Sequence, residues 1–395
     1  MTSNLRKIIY LALLSSVKGE GYLSDILERW KKKENPATRD FNFAQEIGFG
    51  TLRLASALDY IAANLTEKKK LNLKLREKVL LRMAVYQYIY MDRVPLYAIV
   101  NETIEIAKQF CHESSVKFMN AILRKLENGV HNLPQDDSIT DLSTRTSFPP
   151  FFVQEMIENY GLEKAKEILE AGNRQGPVMA RNRSTGEVKI ISNIQEIAVS
   201  SEYYIQNATP AALLDRLSQD LKAPKNILDL CASPGGKLIA IHDRFPDAKL
   251  FANDVSDHKL KILSENCLKY NIPAALSTCK GEEFQNQMTY DLIILDVPCS
   301  NSGVLNKRPE ARWRISLENL IQLEKLHLAL IKNAISLLSP GGELWYLTCS
   351  IMKKENECLV EKACEQFGLK VRRKELILPN QEGWDGGFGC ALIKV

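Results

Sequence analysis

The sequence predicts a multidomain protein in which an all-α helical bundle is followed by an α/β domain containing a parallel sheet. The chain has 395 residues, which is more than one ordinary domain contains. Apolar residues recur at intervals of three and four throughout residues 4–127, as expected of amphipathic helices. From Thr209 onwards, short apolar runs alternate with helical segments, as expected of β-α-β units.

Composition and charge exclude several classes of protein. Hydrophobic residues make up 45% and charged residues 25% of the chain, which is typical of a folded globular protein. The net charge of +4 permits binding to nucleic acid but does not by itself indicate it. Arg6 and Lys7 precede a short apolar run, but Lys18 and Glu20 follow closely, so we expect an amphipathic first helix rather than a signal peptide. No run reaches the ~18 apolar residues that a membrane-spanning helix needs.

The cysteines predict free thiols. There are nine of them, an odd number, and no Cys-x-x-Cys pair occurs. The five histidines lie far from any metal-ligand spacing. We therefore expect neither a zinc site nor a disulfide framework, but reduced thiols in a cytoplasmic protein.

The N-terminal half predicts a bundle of five to seven helices. Basic clusters interrupt it, notably Lys31–Lys33 and Lys68–Lys70. Such runs are most often a solvated helix face, but several of them on one bundle are compatible with an RNA-binding module. Beyond a polar connector, Val188–Ser192 and Tyr203–Ile205 are candidates for short strands.

A glycine-containing turn follows the first long apolar run of the C-terminal half. The predicted strand Asn226–Leu230 leads through Cys231–Lys237 into an apolar helix, Leu238–Phe245. Gly235 and Gly236 carry no Cβ, so a ligand can approach the backbone closely. The helix N-terminus then offers unpaired N–H groups, and together these features predict a nucleotide-binding loop.

The remaining segments complete the predicted α/β domain. Thr209 and Pro210 are expected to cap and to begin its first helix. The further predicted strands are Lys249–Asn253, Leu276–Lys280, Tyr290–Leu295 and Glu343–Leu347, and the principal helices are Asp257–Tyr270 and Leu317–Leu338.

Chemically active side chains follow these strands, where ligands of parallel sheets bind. Asp254 stands 19 residues beyond Gly235 and can accept hydrogen bonds from both ribose hydroxyls of an adenosine-bearing cofactor. Cys299 and Cys349 each come just after a strand, which makes them candidate nucleophiles, and Asp296 lies beside Cys299.

A pyrimidine ring accounts for this set of residues. Its C5 carbon takes a methyl group only after a thiolate has added to C6, an acid near N3 assists that addition, and the C5 proton must afterwards be removed. The spacing alone leaves open which cysteine attacks.

Four motifs, in this order and spacing, are similar to those of the RNA cytosine-C5 methyltransferases of the Sun (NSUN) family. They are Asp229–Lys237, Asp296–Ser300, Lys307–Trp313 and Thr348–Ser350. The resemblance extends over nearly the whole chain and is strongest to members that act on bacterial 16S ribosomal RNA. It implies a NusB-like RNA-binding domain at residues 1–130, a connector with a reduced RNA-contacting subdomain at 131–206, and a Rossmann-like class I methyltransferase domain at 207–395.

The resemblance also implies a cofactor and residue roles. S-adenosylmethionine would be the methyl donor. Cys349 would attack C6, Cys299 would assist release of the product, and Asp296 would contact both the donor and N3 of the cytosine. The donor would be held by the residues Cys231, Ala232, Ser233, Pro234, Gly235, Gly236, Lys237, Asp254, Glu282 and Asp296.

Substrate contacts are expected in the loop after the Pro-Cys motif. Lys307, Arg308, Arg312 and Arg314 are suited to RNA phosphates, and Trp313 is suited either to stacking on a base or to anchoring the loop. We expect ribosomal RNA as the partner and a monomeric enzyme.

The sequence departs from the family pattern in a few places. Glu282 stands where an aspartate is usual, and the segment 170–206 is shorter than the family's RNA-contacting subdomain.

Three other interpretations remain open at this point. They are a methyltransferase of the same chemistry acting on another RNA such as tRNA, an N-methyltransferase, and a non-catalytic RNA-binding factor for ribosome assembly. The N-methyltransferase is disfavoured because such enzymes carry Pro-Pro-Tyr where this chain has Val297-Pro-Cys299, and their chemistry does not need Cys349.

Overall fold

The chain folds into two compact units. The computed structural model describes residues 2–129, 131–192 and 194–394. Unit 1 comprises the residues up to Asn173 together with the short insertion Arg308–Trp313. Unit 2 comprises residues 174–307 and the residues from Arg314 onwards.

Unit 1 is entirely helical. Its helices are α1 (Thr2–Val17), α2 (Leu23–Glu34), α3 (Thr38–Arg53), α4 (Ala55–Asn64), α5 (Leu75–Tyr90), α6 (Leu96–Phe110), α7 (Glu113–Arg124), α8 (Ile139–Thr146), α9 (Pro150–Tyr160) and α10 (Leu162–Asn173). The first seven form the predicted bundle around one apolar core, at whose centre Ile9, Leu58 and Val85 are fully buried.

One close approach fixes the packing of α3 against α5. A Cβ atom at Gly50 would lie only 1.9 Å from the ring of Tyr86, so no larger residue fits there without displacing that ring. The same ring donates its hydroxyl proton to Glu46, one turn earlier on α3, at 2.5 Å. Gly50 therefore allows the close packing of α3 against α5.

The predicted domain limits at residues 130 and 206 stay a prediction, because contacts alone divide the chain differently. Helices α8 to α10 pack within unit 1, and Ser147 after α8 accepts a hydrogen bond from the backbone of Ala57.

Unit 2 begins with a small antiparallel sheet. Its strands are β1 (Met179–Asn182), β2 (Val188–Ile190) and β3 (Tyr203–Ile205), in the order β2-β1-β3, and α11 (Ile194–Val199) lies between the last two. Both predicted short strands therefore form, and β1 joins them.

The main sheet of unit 2 has seven strands. The strands and the helices that surround them are α12 (Ala208–Leu217), β4 (Asn226–Asp229), α13 (Gly236–Arg244), β5 (Lys249–Asp254), α14 (Asp257–Tyr270), β6 (Ala274–Thr278), β7 (Tyr290–Asp296), α15 (Leu317–Leu337), β8 (Leu338–Thr348), α16 (Glu357–Phe367), β9 (Leu369–Ile377) and β10 (Gly387–Lys394), with a 3₁₀ turn at Gly281–Glu283. A second 3₁₀ turn, Pro309–Arg314, lies almost wholly in the insertion that belongs to unit 1. The strand order is β6-β5-β4-β7-β8-β10-β9. The first five strands are parallel, and β10 and β9 continue the sheet antiparallel.

Apolar side chains on both faces bury this sheet. Along β4, Ile227 enters one core and Leu228 enters the other, and Trp345 and Tyr346 divide in the same way on β8. Because β4, β5, β7 and β8 run parallel, their carboxyl ends lie along one edge of the sheet, where sites form in such folds.

One prediction at the start of this domain was wrong. The N-cap of α12 is Asn207, whose side-chain oxygen accepts from the backbone N–H of Thr209 at 3.1 Å. The Thr209 hydroxyl instead donates to the carbonyl of Asp385 at 2.5 Å. A tertiary contact therefore uses the hydroxyl that the sequence assigned to the cap.

Candidate active site

The glycine loop is tied to the neighbouring strand. Between β4 and α13, the N–H of Ala232 donates to the carbonyl of Asn253, and the N–H of Ser233 donates to the carboxylate of Asp254 at 3.1 Å. Gly235 has a φ of +105°, a conformation that favours glycine. Helix α13 then starts without a side-chain cap, so its first-turn N–H groups can bind a ligand.

This arrangement fits an adenosine-bearing cofactor. Asp254 is buried, and while one carboxylate oxygen accepts from Ser233, the other has only a 3.4 Å contact with the backbone N–H of Ser256 and lies 3.8 Å from the Lys259 ammonium. That second oxygen retains capacity to accept hydrogen bonds from ribose hydroxyls.

The adjacent strand ends are held by one amide. The buried side chain of Asn253 donates to the carbonyls of Leu230 and Cys279 and accepts from the backbone of Cys279. Glu282 follows this point in a 3₁₀ turn and is half-buried, while its neighbour Glu283 pairs with Lys280. A half-buried carboxylate there can accept a hydrogen bond from a base edge.

A lysine–aspartate pair joins α13 to the end of β7. Lys237 donates to Asp296 at 2.5 Å. Burial alone would lower the pKa of Lys237, but the charge and the hydrogen bond of Asp296 outweigh it, so the net pKa is raised and the side chain stays an ammonium. The negative charge of a Cys349 thiolate acts in the same direction.

The two candidate cysteines touch. The Sγ atoms of Cys299 and Cys349 are 2.9 Å apart, and Cys349 also lies 3.3 Å from the side-chain oxygen of Asn301. The sulfur–sulfur contact, together with burial, raises the pKa of the Cys299 thiol well above its usual value. The two sulfurs can therefore share a proton, with either atom as the donor.

A buried carboxylate bridges the loops that carry these cysteines. Glu355 accepts from the backbone N–H of Ser300 at 2.8 Å and from the hydroxyls of Ser300 and Ser350 at 2.5 Å each. Nothing in the sequence singled out Glu355; the only available signal was its position six residues after Cys349.

Asp229, in the glycine-loop motif, is a second residue to which the sequence assigned no role. It is almost fully buried, and neither carboxylate oxygen has a well-formed hydrogen bond within the described part of the chain. Burial and the nearby charge of Asp296 raise the pKa of Asp229 to about 8, although Lys237 and the backbone of Cys231 offset part of the shift.

The predicted RNA-contacting loop is divided between the units. Lys307 belongs to unit 2 and pairs with Asp385 at 2.6 Å. Arg308 and Trp313 are exposed in unit 1, where Arg308 lies over the ring of Tyr22 and the Trp313 indole donates to the carbonyl of Leu52.

The prediction for Arg312 needs correction. Its side chain is fully buried in unit 1. The guanidinium donates to the carbonyls of Arg53 and Gly172 and to the side chain of Asn173, and it lies 4.0 Å from the centre of the Phe148 ring. Arg312 is therefore a structural anchor and is not available to RNA in this structure.

Family comparisons agree with this geometry. Residues 217–388 match the model described as 16S rRNA methyltransferase RsmB/F, and residues 3–128 match the NusB family. The predicted resemblance and fold class are thereby confirmed, and the protein is an S-adenosylmethionine-dependent RNA methyltransferase with an N-terminal NusB domain.

Individual relatives match the full length. The chain is 25% identical to the probable ribosomal RNA small subunit methyltransferase B of Bacillus subtilis (strain 168) over 99% of both chains. It is 28% identical to ribosomal RNA small subunit methyltransferase B of Proteus mirabilis (strain HI4320), again over 99% of both.

Two solved structures have a similar fold. PH0851 aligns with a TM-score of 0.77 over 98% of both chains at 19% identity. A methyltransferase homologue from Pyrococcus horikoshii aligns with a TM-score of 0.55 at 20% identity, covering 66% of this chain and all of that one.

Two features are absent from the described residues. Among them, no helix is long and apolar enough to cross a membrane. Nor does any group of three or more histidine, cysteine or acidic side chains in the described ranges form a metal site.

Proposed function

We propose that the protein methylates C5 of a cytosine in 16S ribosomal RNA through a covalent adduct between Cys349 and C6 of the base. The observation that carries this proposal is the 2.9 Å contact between the sulfurs of Cys299 and Cys349, beside the Lys237–Asp296 pair. Neither an N-methyltransferase nor a simple binding protein needs two thiols in contact at the ends of neighbouring strands.

The surrounding charges favour Cys349 as the nucleophile. The Cys299 thiol can donate a hydrogen bond to Cys349, and the Lys237 ammonium supplies positive charge on the same side. Both effects favour negative charge on Cys349, and the thiolate is the reactive form. Attack of Cys349 on C6 forms the S–C6 bond and moves an electron pair of the ring to C5.

Asp296 and Lys237 would act on the ring during that attack. Charge that builds up on the N3 side of the base is stabilised by a nearby proton or positive charge. Asp296 would approach N3, and the hydrogen bond from Lys237 makes the ammonium proton the nearest source of that stabilisation.

S-adenosylmethionine, when bound, supplies the methyl group. Asp254 would hold its ribose, the first turn of α13 and residues 231–237 would hold its polar atoms, and Glu282 would contact the adenine. These residues would bind and orient the donor.

Release of the product would need Cys299. A base must take the C5 proton while the S–C6 bond breaks and its electrons return to Cys349. As the S–C6 bond breaks, the Cys299 thiol would give its proton to the leaving sulfur of Cys349, which it touches, and would take up the C5 proton in its place.

RNA contacts are proposed at Lys307, Arg308 and Trp313, which are exposed, with Arg312 left out because it is buried. Exposed cations bind phosphates through charge, and an exposed indole can stack on an unpaired base.

Nucleoside analysis tests the proposal. The purified protein is incubated with S-adenosylmethionine and either naked 16S ribosomal RNA, assembly-stage small subunits or tRNA, and the RNA is digested and analysed by mass spectrometry. We expect 5-methylcytosine from a 16S substrate and none with Cys349→Ala. N4-methylcytosine would contradict the C5 assignment, and 5-methylcytosine from tRNA alone would contradict the 16S assignment.

A further inference from the structure

The two cysteine loops meet on a single side chain. Ser300 directly follows Cys299, and Ser350 directly follows Cys349. Both serines donate to the carboxylate of Glu355, which is only 2% exposed. Hydrogen bonds to a buried ionised acceptor are roughly twice as strong as those between neutral groups.

The Cys349 loop has a second, independent anchor. Asn356 accepts from the hydroxyl of Thr348 at 2.7 Å and donates to the carbonyl of Ser350 at 2.9 Å. It is thus hydrogen-bonded to the residue before Cys349 and to the residue after it. The position of the Cys349 backbone is therefore well determined without Glu355.

The Cys299 loop depends more strongly on Glu355. The other hydrogen bonds between the two loops include a longer one, at 3.3 Å, between the hydroxyls of Ser300 and Ser350. Others lie beyond Ser300, such as the N–H of Gly303, which donates to the carbonyl of Cys349 at 2.9 Å. On the other side, His327 contacts the carbonyl of Pro298 at 2.7 Å. At Ser300 itself, next to the sulfur, two of the hydrogen bonds that fix the backbone and the hydroxyl go to Glu355.

We propose that Glu355 is a positioning residue that holds the Cys299 loop against the Cys349 loop, so that the two sulfurs stay in contact while the RNA base enters and leaves. Glu355 does not touch the reacting atoms. Its catalytic consequence rests on the proposed covalent reaction, but its effect on the distance between the sulfurs does not.

Three groups donate to Glu355, namely the N–H and the hydroxyl of Ser300 and the hydroxyl of Ser350. Their chemistry predicts how strongly each substitution of Glu355 weakens the bridge. A glutamine can still accept from the Ser300 N–H through its oxygen, and its NH₂ group can donate to both hydroxyls if they turn round. Glu355→Gln therefore keeps the bridge with weaker, uncharged bonds, whereas Glu355→Ala removes it and leaves three buried donors to find other partners. We therefore expect the sulfurs of Cys299 and Cys349 to be held in contact most firmly in the wild type, less firmly in Glu355→Gln and least firmly in Glu355→Ala.

A trivalent arsenical measures that contact without RNA or cofactor. Phenylarsine oxide reacts with two thiols held close together, forming two As–S bonds and releasing one water, with no change in oxidation state. Its equilibrium affinity for the full-length protein is measured by competition with dimercaptopropanol, and the bound peptides are identified by mass spectrometry.

We expect tight one-to-one binding to Cys299 and Cys349 in the wild type and its loss in Cys299→Ala. Glu355→Ala should weaken binding at least tenfold, and Glu355→Gln should weaken it less. Glu343→Gln is the matched control, because Glu343 is also buried and hydrogen-bonded, to Trp345 and Arg372, and lies on the strand that ends just before Cys349. It should bind as the wild type does.

A catalytic readout separates positioning from general stability. Glu355→Ala should lower kcat by about 100-fold, the effect expected of a displacement near 1 Å, with the dissociation constant for S-adenosylmethionine unchanged. If Glu355→Ala does not fold, Ser300→Ala and Ser350→Ala take its place, and each should weaken arsenical binding.

Wild-type affinity for the arsenical in folded Glu355→Ala, or in both serine variants, would overturn the proposal. Weakened binding in Glu355→Ala with unchanged kcat would support the positioning role while contradicting the proposed covalent reaction.

Discussion

Lys237, in the first turn of α13, donates a 2.5 Å hydrogen bond to Asp296 at the end of β7. The pair joins the glycine loop, which is the predicted cofactor site, to the strand that leads to Cys299. Only 19% of the lysine side chain is exposed, so its charge acts through a medium of low dielectric constant. A single contact thereby couples the predicted donor site to the predicted base site.

Replacing Lys237 by methionine should lower kcat by about 100-fold, because one stabilising charge on the ring and on Cys349 is lost. Lys237→Arg should retain part of the activity. Steady-state kinetics with the RNA substrate gives kcat, and calorimetry gives the affinity for S-adenosylmethionine, for the wild type and for each variant. An unchanged kcat, or a loss confined to cofactor affinity, contradicts the assigned role.

Asp254 should control cofactor affinity and not the chemistry of the base. Asp254→Ala is expected to weaken S-adenosylmethionine binding roughly 10- to 100-fold, because a hydrogen bond to a charged group contributes about 1.5–3 kcal/mol. Asp254→Asn keeps one side-chain oxygen that can accept a hydrogen bond, so it should lose less affinity for S-adenosylmethionine. Calorimetric titration of each variant measures this, and equal affinity in wild type and Asp254→Ala would remove Asp254 from the site.

The buried carboxyl of Asp229 should make stability depend on pH. Its pKa is about 8 in the folded protein, against roughly 3.9 in the unfolded chain. Between these values the unfolded chain releases a proton that the folded protein keeps, so the stability of the wild type falls as pH rises from 4 to 8. Asp229→Asn lacks this titration.

The free energy of unfolding of Asp229→Asn, relative to that of the wild type, should therefore increase as pH rises from 5 to 8. The slope is at most about 1.4 kcal/mol per pH unit, which amounts to a few kcal/mol over this range. Urea unfolding of unit 2 is followed through the fluorescence of Trp345 and Trp384, with Trp30 and Trp313 changed to phenylalanine. A relative stability independent of pH would show that Asp229 is ionised in the folded protein.

Arg312 should matter for stability and Arg308 for RNA. Arg312→Ala leaves buried carbonyls without their donor, which should cost several kcal/mol and lower the thermal unfolding temperature of unit 1. Arg308→Ala should leave stability nearly unchanged but reduce the salt slope of RNA binding by about 1. If Arg312→Ala keeps its stability and loses RNA affinity, the buried-anchor assignment fails.

Local patterns predicted much of the fold. The helix predicted at Asp257–Tyr270 forms with those limits. Four of the predicted strands, those beginning at Asn226, Lys249, Tyr290 and Glu343, form parallel strands, because a strand buried on both faces needs continuous apolar sequence. Strand β9 was not predicted. Its residues include Lys370, Arg372 and Arg373, which suit a solvated edge but hide the alternation of a strand.

The candidate site was predicted where adjacent residues carry the chemistry, as at Asp296, Cys299 and Cys349. It was missed where partners are distant in sequence. Glu355 becomes visible only because the fold brings Ser300 and Ser350 onto it, 55 and 5 residues away. Arg312 was assigned to RNA because a cation near a site motif suggests phosphate, whereas its partners lie about 140 or more residues earlier.

Trapping of the covalent intermediate tests the central claim most directly. Cys299→Ala is mixed with its 16S substrate and S-adenosylmethionine and analysed on a denaturing gel. We predict a protein–RNA adduct that survives denaturation, because Cys349 still attacks while release stalls, and no adduct in Cys299→Ala combined with Cys349→Ala. An adduct trapped by Cys349→Ala alone would reverse the roles of the cysteines. If no adduct forms while the wild type methylates the same RNA, the covalent mechanism is contradicted.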